Sequence, residues 1–265
     1  MGTRHTQFFM DKEYPNIPMG GGGGGISTYT GTTSPSASLG NNGDLYFQTK
    51  SFQKVDYIQT NGGDKTQCIK TDVKMTTDTE IILKTKVFST VYSNWQGILG
   101  FRNSTPFYGL YTRCNDANVF GAEYNSTSAQ IASDAGIYDV DIEITANAHG
   151  WTWTDGTNTG TQSFEFQGVG AEGLNLGSAN FSGAYSNEQG KYNFYEAIFS
   201  ESGVEMLHLV PIINNNHGAM VDILTGQIYE SINTNNHFSY GQTLQEYVNL
   251  VFRKYVKIDG TWMSF

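Results

Sequence analysis

The sequence predicts a nearly all-β protein built around a two-sheet jelly-roll sandwich, and three observations carry that prediction. Charged residues make up only 15% and aromatic residues 14% of the 265-residue chain, a balance that suits half-buried pleated surfaces better than exposed amphipathic helices. Short apolar–polar alternations recur along most of the chain, punctuated by Gly, Asn and Asp turn signals. A helical period is nearly absent, which argues against alternating strands and helices and for a sandwich.

The elements follow in order. Residues 1–42 hold Pro15, Pro18, six consecutive glycines from Gly20 to Gly25 and a Ser/Thr-rich run to Ser38, a composition that buries no core unaided. Strand signals begin at Leu45-Tyr46-Phe47 and continue at Val55 to Ile58, with Asn61-Gly62 as a turn. In Glu80 to Phe88, Ile81, Leu83 and Val87 share one face. Tyr138 to Ile144 is expected to alternate, with Val140, Ile142 and Ile144 inward and Asp139, Asp141 and Glu143 outward. Trp151-Thr152-Trp153 leads into the hairpin dipeptide Asp155-Gly156, and Phe164-Glu165-Phe166 resumes the alternation. Further strands fit Phe194 to Ser200, Glu205 to Pro211 and Met220 to Ile223. Leu244, Tyr247, Val248, Val251 and Phe252 are spaced for either a short helix or a strand. An Asp259-Gly260 turn then predicts a closing hairpin.

The formal net charge of −10 repels phosphate backbones and anionic lipid, so neither nucleic acid nor membrane is an expected partner. Met1 to Glu13 carry only a Phe8-Phe9-Met10 apolar cluster, short of a signal-peptide core, and the expectation is assembly in a cytoplasm. Cys68 and Cys114 lie far apart without metal-ligand spacing and read as ordinary thiols. The histidines, His5, His149, His208, His217 and His237, are scattered. No cofactor or metal is expected; Asn115-Asp116-Ala117-Asn118 is only a turn-like candidate for calcium. The glycine run lacks the Lys-Ser/Thr that phosphate binding needs. Sugar binding needs aromatic faces and planar polar groups, which Trp95, Arg102, Tyr108, Tyr111, Arg113, Trp151 and Trp153 supply as candidates, although a sandwich core needs aromatic residues too.

Tyr57-Ile58-Gln59-Thr60-Asn61-Gly62 through Cys68-Ile69-Lys70-Thr71, then Gly97-Ile98-Leu99-Gly100-Phe101-Arg102-Asn103-Ser104, resemble the opening of concanavalin A-like (laminin-G-like) domains in phage and gut-bacterial surface proteins. Leu176 to Asn180, Phe194 to Phe199, His208 to Pro211 and Met220 to Tyr229 resemble the closing strands of that family. The resemblance spans residues 53–241 and implies a concanavalin A-like jelly roll. Among its members, jelly-roll glucanases carry three acidic residues alternating along one strand, a nucleophile and an acid/base among them. The pattern Asp139, Asp141, Glu143 fits loosely, with Asp where those enzymes have Glu first and no apolar flank to raise a carboxyl pKa. The expectation is therefore a protein that is not an enzyme.

Ser34 to Thr49, containing Gly40-Asn41-Asn42-Gly43-Asp44-Leu45-Tyr46, resembles a segment common in phage tail and fibre proteins, and Phe252 to Trp262 resembles its usual second half. The resemblance implies a small phage-type β unit split between residues 34–52 and 248–265, with the jelly roll of residues 53–241 inserted and residues 1–33 as an attachment arm. The functional expectation is a bacteriophage virion protein, a head or tail fibre or appendage, located in the virion. Its arm binds other virion proteins, it forms a homotrimer, and its jelly roll faces host or mucosal glycans. The alternatives are a jelly-roll glycoside hydrolase and a ligand-free capsid decoration protein.

Overall fold

In a computed structural model, residues 26–62, 67–89, 96–101, 106–112, 121–125, 127–129, 137–170, 172–178, 180–181, 184–185 and 190–265 are described. The glycine run, the arm before it, Cys114 and the Asn115 to Asn118 turn lie outside the described residues. The chain forms two compact units, Met1–Lys50 with Val251–Phe265, and Ser51–Leu250.

Residues 51–250 form a β-sandwich. In its larger sheet the strands run in the order Thr159–Ser163, Gly150–Thr154, Asp141–Asn147, Thr79–Val87, Tyr192–Glu201 and Val204–Asn214, each antiparallel to the next. His217–Asp222 extends it beside Val204–Asn214. In the second sheet Gly97–Phe101 pairs Phe107–Tyr111, which pairs Gly121–Asn125, while Gly173–Leu176 lies between Ile69–Lys74 and Gly97–Phe101.

Period-two alternation explains which faces meet. Ile81, Leu83 and Val87 point inward with Ile142, Ile144, Ala146, Phe194, Ala197 and Phe199 from the flanking strands. The second sheet contributes Ile69, Leu99, Phe101, Tyr108, Leu110, Leu174 and Leu176 to the same cluster. Burying each such side chain is worth about 1.5–3 kcal/mol, so this layer holds the sheets together. Within it Tyr108 packs edge to face against Phe164 and Phe166. A smaller cluster of Phe52, Ile212, Ala219 and Val221, packed by Val210, Ile228, Val248 and Leu250, occupies the other side of the strand pair Val204–Asn214 and His217–Asp222.

Turn chemistry follows the sequence at Asp155-Gly156, where the Asp155 carboxylate accepts the Thr157 and Asn158 N–H groups and Gly156 adopts a positive φ of 87°. The stretch from Leu244 to Phe252 is strand, inside Thr243–Ile258. Val248 and Leu250, two apart, pack on the smaller cluster, which selects period two over the helical spacing.

Two expectations need correction. The alternation of Tyr138 to Ile144 begins only at Asp141, because Asp139 sits at φ 62° and Val140 is exposed. Phe164 and Phe166 are buried but lie outside a strand, their N–H groups donating to the carbonyls of His149 and Ala148.

The second unit is organised by Asp44 and Lys257. Asn41 to Asp44 forms a turn with Gly43 at φ 92°. Its Asp44 carboxylate accepts the N–H groups of Ser27 and Asn41 at 2.8 and 2.7 Å, which holds its pKa below the usual carboxylate value. Lys257 lies on the Thr243–Ile258 strand, whose end forms a hairpin with Thr261–Ser264 through Asp259-Gly260. Its backbone exchanges hydrogen bonds with Gly43 and Asp44, and its ammonium donates to the carbonyls of Ala37, Leu39 and Gly40 at 2.8, 2.8 and 2.9 Å. Tyr46, Tyr255 and Trp262 pack edge to face around this point.

Lys257→Met keeps the stem but leaves three carbonyls without their donor. It is expected to destabilise residues 26–50 and 251–265 by about 1–3 kcal/mol, read by faster limited proteolysis within those segments while the cleavage pattern of residues 51–250 stays unchanged.

Candidate functional site

The outward face of the larger sheet gathers charge and aromatic edges. Along Tyr192–Glu201 the register with Thr79–Val87 shifts between Phe194 and Glu196. This bulge gives two residues against one. Phe194 and Ala197 therefore stay buried while Tyr195 and Glu196 both reach the outer face. There the Lys84 ammonium donates to Glu196 at 2.7 Å, His208 Nε2 lies 2.9 Å from the other Glu196 oxygen, and His208 Nδ1 lies 3.4 Å from Glu205. Lys84 is also in register with Glu143. The Tyr195 hydroxyl donates to Asp141 at 2.6 Å, and its ring meets Tyr57 edge to face at 5.8 Å.

These contacts set the protonation states. Burial opposes ionisation of Glu196, but hydrogen bonds from Lys84 and His208 outweigh it and hold the carboxyl below its ordinary value. The hydrogen bond from Lys84 to Glu196 raises the Lys84 pKa. Burial first, and then the bond to Asp141, push Tyr195 up to about 12, so the phenol remains a donor. The result is a solvent-facing row of a fixed phenol donor, carboxylate acceptors, an ammonium and an imidazole beside two tyrosine rings, a set suited to hydroxyl-rich ligands.

Of the acidic trio, Asp141 and Glu143 share this face and Asp139 does not. Asp139, ahead of the strand, accepts the Ser89 hydroxyl at 2.6 Å, and its left-handed backbone removes it from the alternation. The predicted row of three carboxylates is therefore a pair. Among the sugar-binding candidates, Trp95, Arg102 and Arg113 lie outside the described residues. Tyr108, Trp151 and Trp153 are buried in the core between the sheets, so their rings are packing residues. The Trp153 indole fills the space beside Gly160, where a Cβ would come within 2.3 Å of its nitrogen. Tyr111 is buried as well, but on the face of the second sheet turned away from the core.

Lys84, Tyr195, Glu196 and His208 were not among the candidates. Glu196 was visible only as one polar residue within an apolar run, and the bulge that brings it beside Lys84 has no local signature. Among the described residues no group of three or more His, Cys, Asp or Glu comes together to hold a metal ion, and no helix is long and apolar enough to cross a membrane.

No family model matches the sequence, and no curated protein matches it. Among solved structures, the chain is similar to a mutant of the NanB sialidase from Streptococcus pneumoniae, at 11% identity and a TM-score of 0.28, covering 52% of this chain and 26% of that one. It is also similar to NanB in complex with 2-[(3-chlorobenzyl)ammonio]ethanesulfonate, at 10% identity and a TM-score of 0.29 over the same shares. The match thus spans about a quarter of the length of those chains. This finding corrects one expectation: the structures that resemble the chain are of an enzyme, and the exclusion of catalysis is withdrawn.

A carboxyl whose folded pKa is depressed contributes stability above its unfolded pKa and loses it as pH falls through the folded value. Glu196→Gln is accordingly expected to lower the urea midpoint at neutral pH and to show a shallower decline than the parent between about pH 5 and pH 3. Parallel curves would show that the Lys84–Glu196–His208 row adds nothing to stability.

Proposed function

We propose that the chain is a bacteriophage virion protein, a fibre or appendage, that displays its β-sandwich for attachment to host or mucosal glycans. One observation carries the reading. Residues from both ends of the chain meet in a single small unit, while the intervening residues 51–250 fold as a separate compact sandwich. A domain inserted into another unit is joined to it through both of its chain ends, and such insertions are tolerated where those ends lie close together. The Gly40 to Tyr46 and Phe252 to Trp262 segments that resemble phage fibre sequences are the ones joined by Lys257 and Asp44. The polar and aromatic face around Tyr195 and Glu196 supports the glycan part of the reading.

The small unit also leaves Ile26, Val251, Ile258, Met263 and Phe265 exposed. In a homotrimer such residues become buried against symmetry mates, and the segment before residue 26 docks on other virion proteins.

Antibody raised to residues 51–250 is expected to label purified particles in electron micrographs at the head or tail; label confined to the lysate would remove the virion reading. Light scattering after native size-exclusion is expected to give three times the chain mass, and Val251→Glu with Met263→Glu to shift it to one; a monomeric parent would remove the trimer.

A further inference from the structure

The larger sheet ends in a strand whose free edge is unguarded. Thr159–Ser163 pairs with Gly150–Thr154 on one side and with no other strand among the described residues. Along an antiparallel ladder, hydrogen-bonded pairs alternate with non-bonded ones. Asp155 N donates to Asn158 O, and Phe164 N to His149 O, in one continuous register. Gly160 and Gln162 therefore bond to Gly150–Thr154, while the backbone groups of Thr159, Thr161 and Ser163 turn to the free edge. The Ser163 carbonyl accepts the Gln162 side-chain amide at 3.2 Å and keeps a second lone pair. Thr159, Thr161 and Ser163 are exposed, which leaves the row open to an incoming strand.

Edges of this kind are normally blunted by Pro, by charged residues or by a bulge. Thr159-Gly160-Thr161-Gln162-Ser163 has no Pro and no charge, and its register with Gly150–Thr154 runs without a shift. Copies of a chain with a net charge of −10 repel one another, and this uncharged stretch is where two of them can meet. The segment is also complementary to itself. Antiparallel pairing centred on Thr161 sets Thr161 against Thr161, Thr159 against Ser163 and Gly160 against Gln162. The exposed face then carries only hydroxyl pairs, of the kind that Thr152 and Thr161 already form at 3.3 Å within the chain. The nearest charges along the chain, Asp155 and Glu165, fall outside the paired stretch.

We propose that Thr159–Ser163 is an interface at which a second copy of this chain pairs strand to strand about a two-fold axis through Thr161, joining two larger sheets into one. An isologous contact uses the same patch from both copies. Here it satisfies the outward N–H and C=O groups of Thr159, Thr161 and Ser163 on each. Five paired residues make a smaller contact than the roughly 1,200 Å² of a stable interface. The pairing is accordingly weak in dilute solution and grows with local concentration, as on a surface that displays many copies. Copies held in a trimer through the small unit pair with copies of a neighbouring trimer. The pairing depends on neither the virion reading nor the glycan reading.

The test is sedimentation velocity of the full-length chain over a concentration series, with amide hydrogen exchange measured at both ends of the series. The average mass of the parent is expected to rise with concentration to twice that of the dilute species. Over the same range the amides of Thr159, Thr161 and Ser163 are expected to gain protection, while those of Gly160 and Gln162 stay as they were. Thr161→Pro removes an N–H that faces the free edge and is expected to keep the dilute mass at every concentration. Thr161→Lys is the second variant; it sets two ammonium groups against each other at the axis and is expected to abolish the rise with an unchanged melting temperature. A parent mass that stays constant across the series overturns the interface. So does a rise without added protection at Thr159, Thr161 and Ser163, or a rise that Thr161→Lys leaves intact.

Discussion

The sandwich depends on the antiparallel pairing of Thr79–Val87 with Tyr192–Glu201, two segments separated by more than a hundred residues of chain. That ladder places Ile81 against Phe199 and Leu83 against Ala197, and Asp141–Asn147 and Val204–Asn214 then align on its two sides. Because side chains alternate across a strand, one register decides for all four strands which residues enter the core. A slip by a single position would turn Ile81, Leu83 and Val87 outward and Lys84 and Lys86 inward, burying unpaired charge.

The bulge at Tyr195 is the one place where this ladder breaks step, and the outward face is built around it. With strict alternation Tyr195 and Glu196 would lie on opposite faces; the extra residue lets both emerge, one beside Asp141 and the other between Lys84 and His208. The interior on the other side is unaffected, since Phe194 and Ala197 keep their buried places. A local irregularity thus separates the demands of packing from those of the surface.

The small unit uses a different kind of glue. Its loop from Ala37 to Gly40 is held by the buried ammonium of Lys257, and the Asp44 carboxylate holds the N–H groups of Asn41 and Ser27. Each charge is met by several backbone dipoles rather than by one opposite charge, which satisfies loop carbonyls and amides that a strand ladder does not reach.

Much of the architecture was legible in the sequence. Period-two patterns at Ile81, Leu83 and Val87, and turn dipeptides at Asp155-Gly156 and Asp259-Gly260, act through neighbours close in sequence, so the residues carry that information alone. The Leu244 to Phe252 stretch did not declare itself, because its apolar spacing suits two periods and the cluster around Ile212 and Val221 selects one. The sites were less legible still. Tyr108, Trp151 and Trp153 have the chemistry of sugar-binding residues but are packed in the core, and an aromatic residue in a sequence carries no mark of the face it will occupy. The place of Glu196 between Lys84 and His208 arises from pairings across long stretches of chain. The sequence by itself determined an all-β chain with its turns and core periodicity, since those are local properties of the backbone. Only the tertiary structure decided which polar residues stand together, since that follows from strand order, register and one bulge.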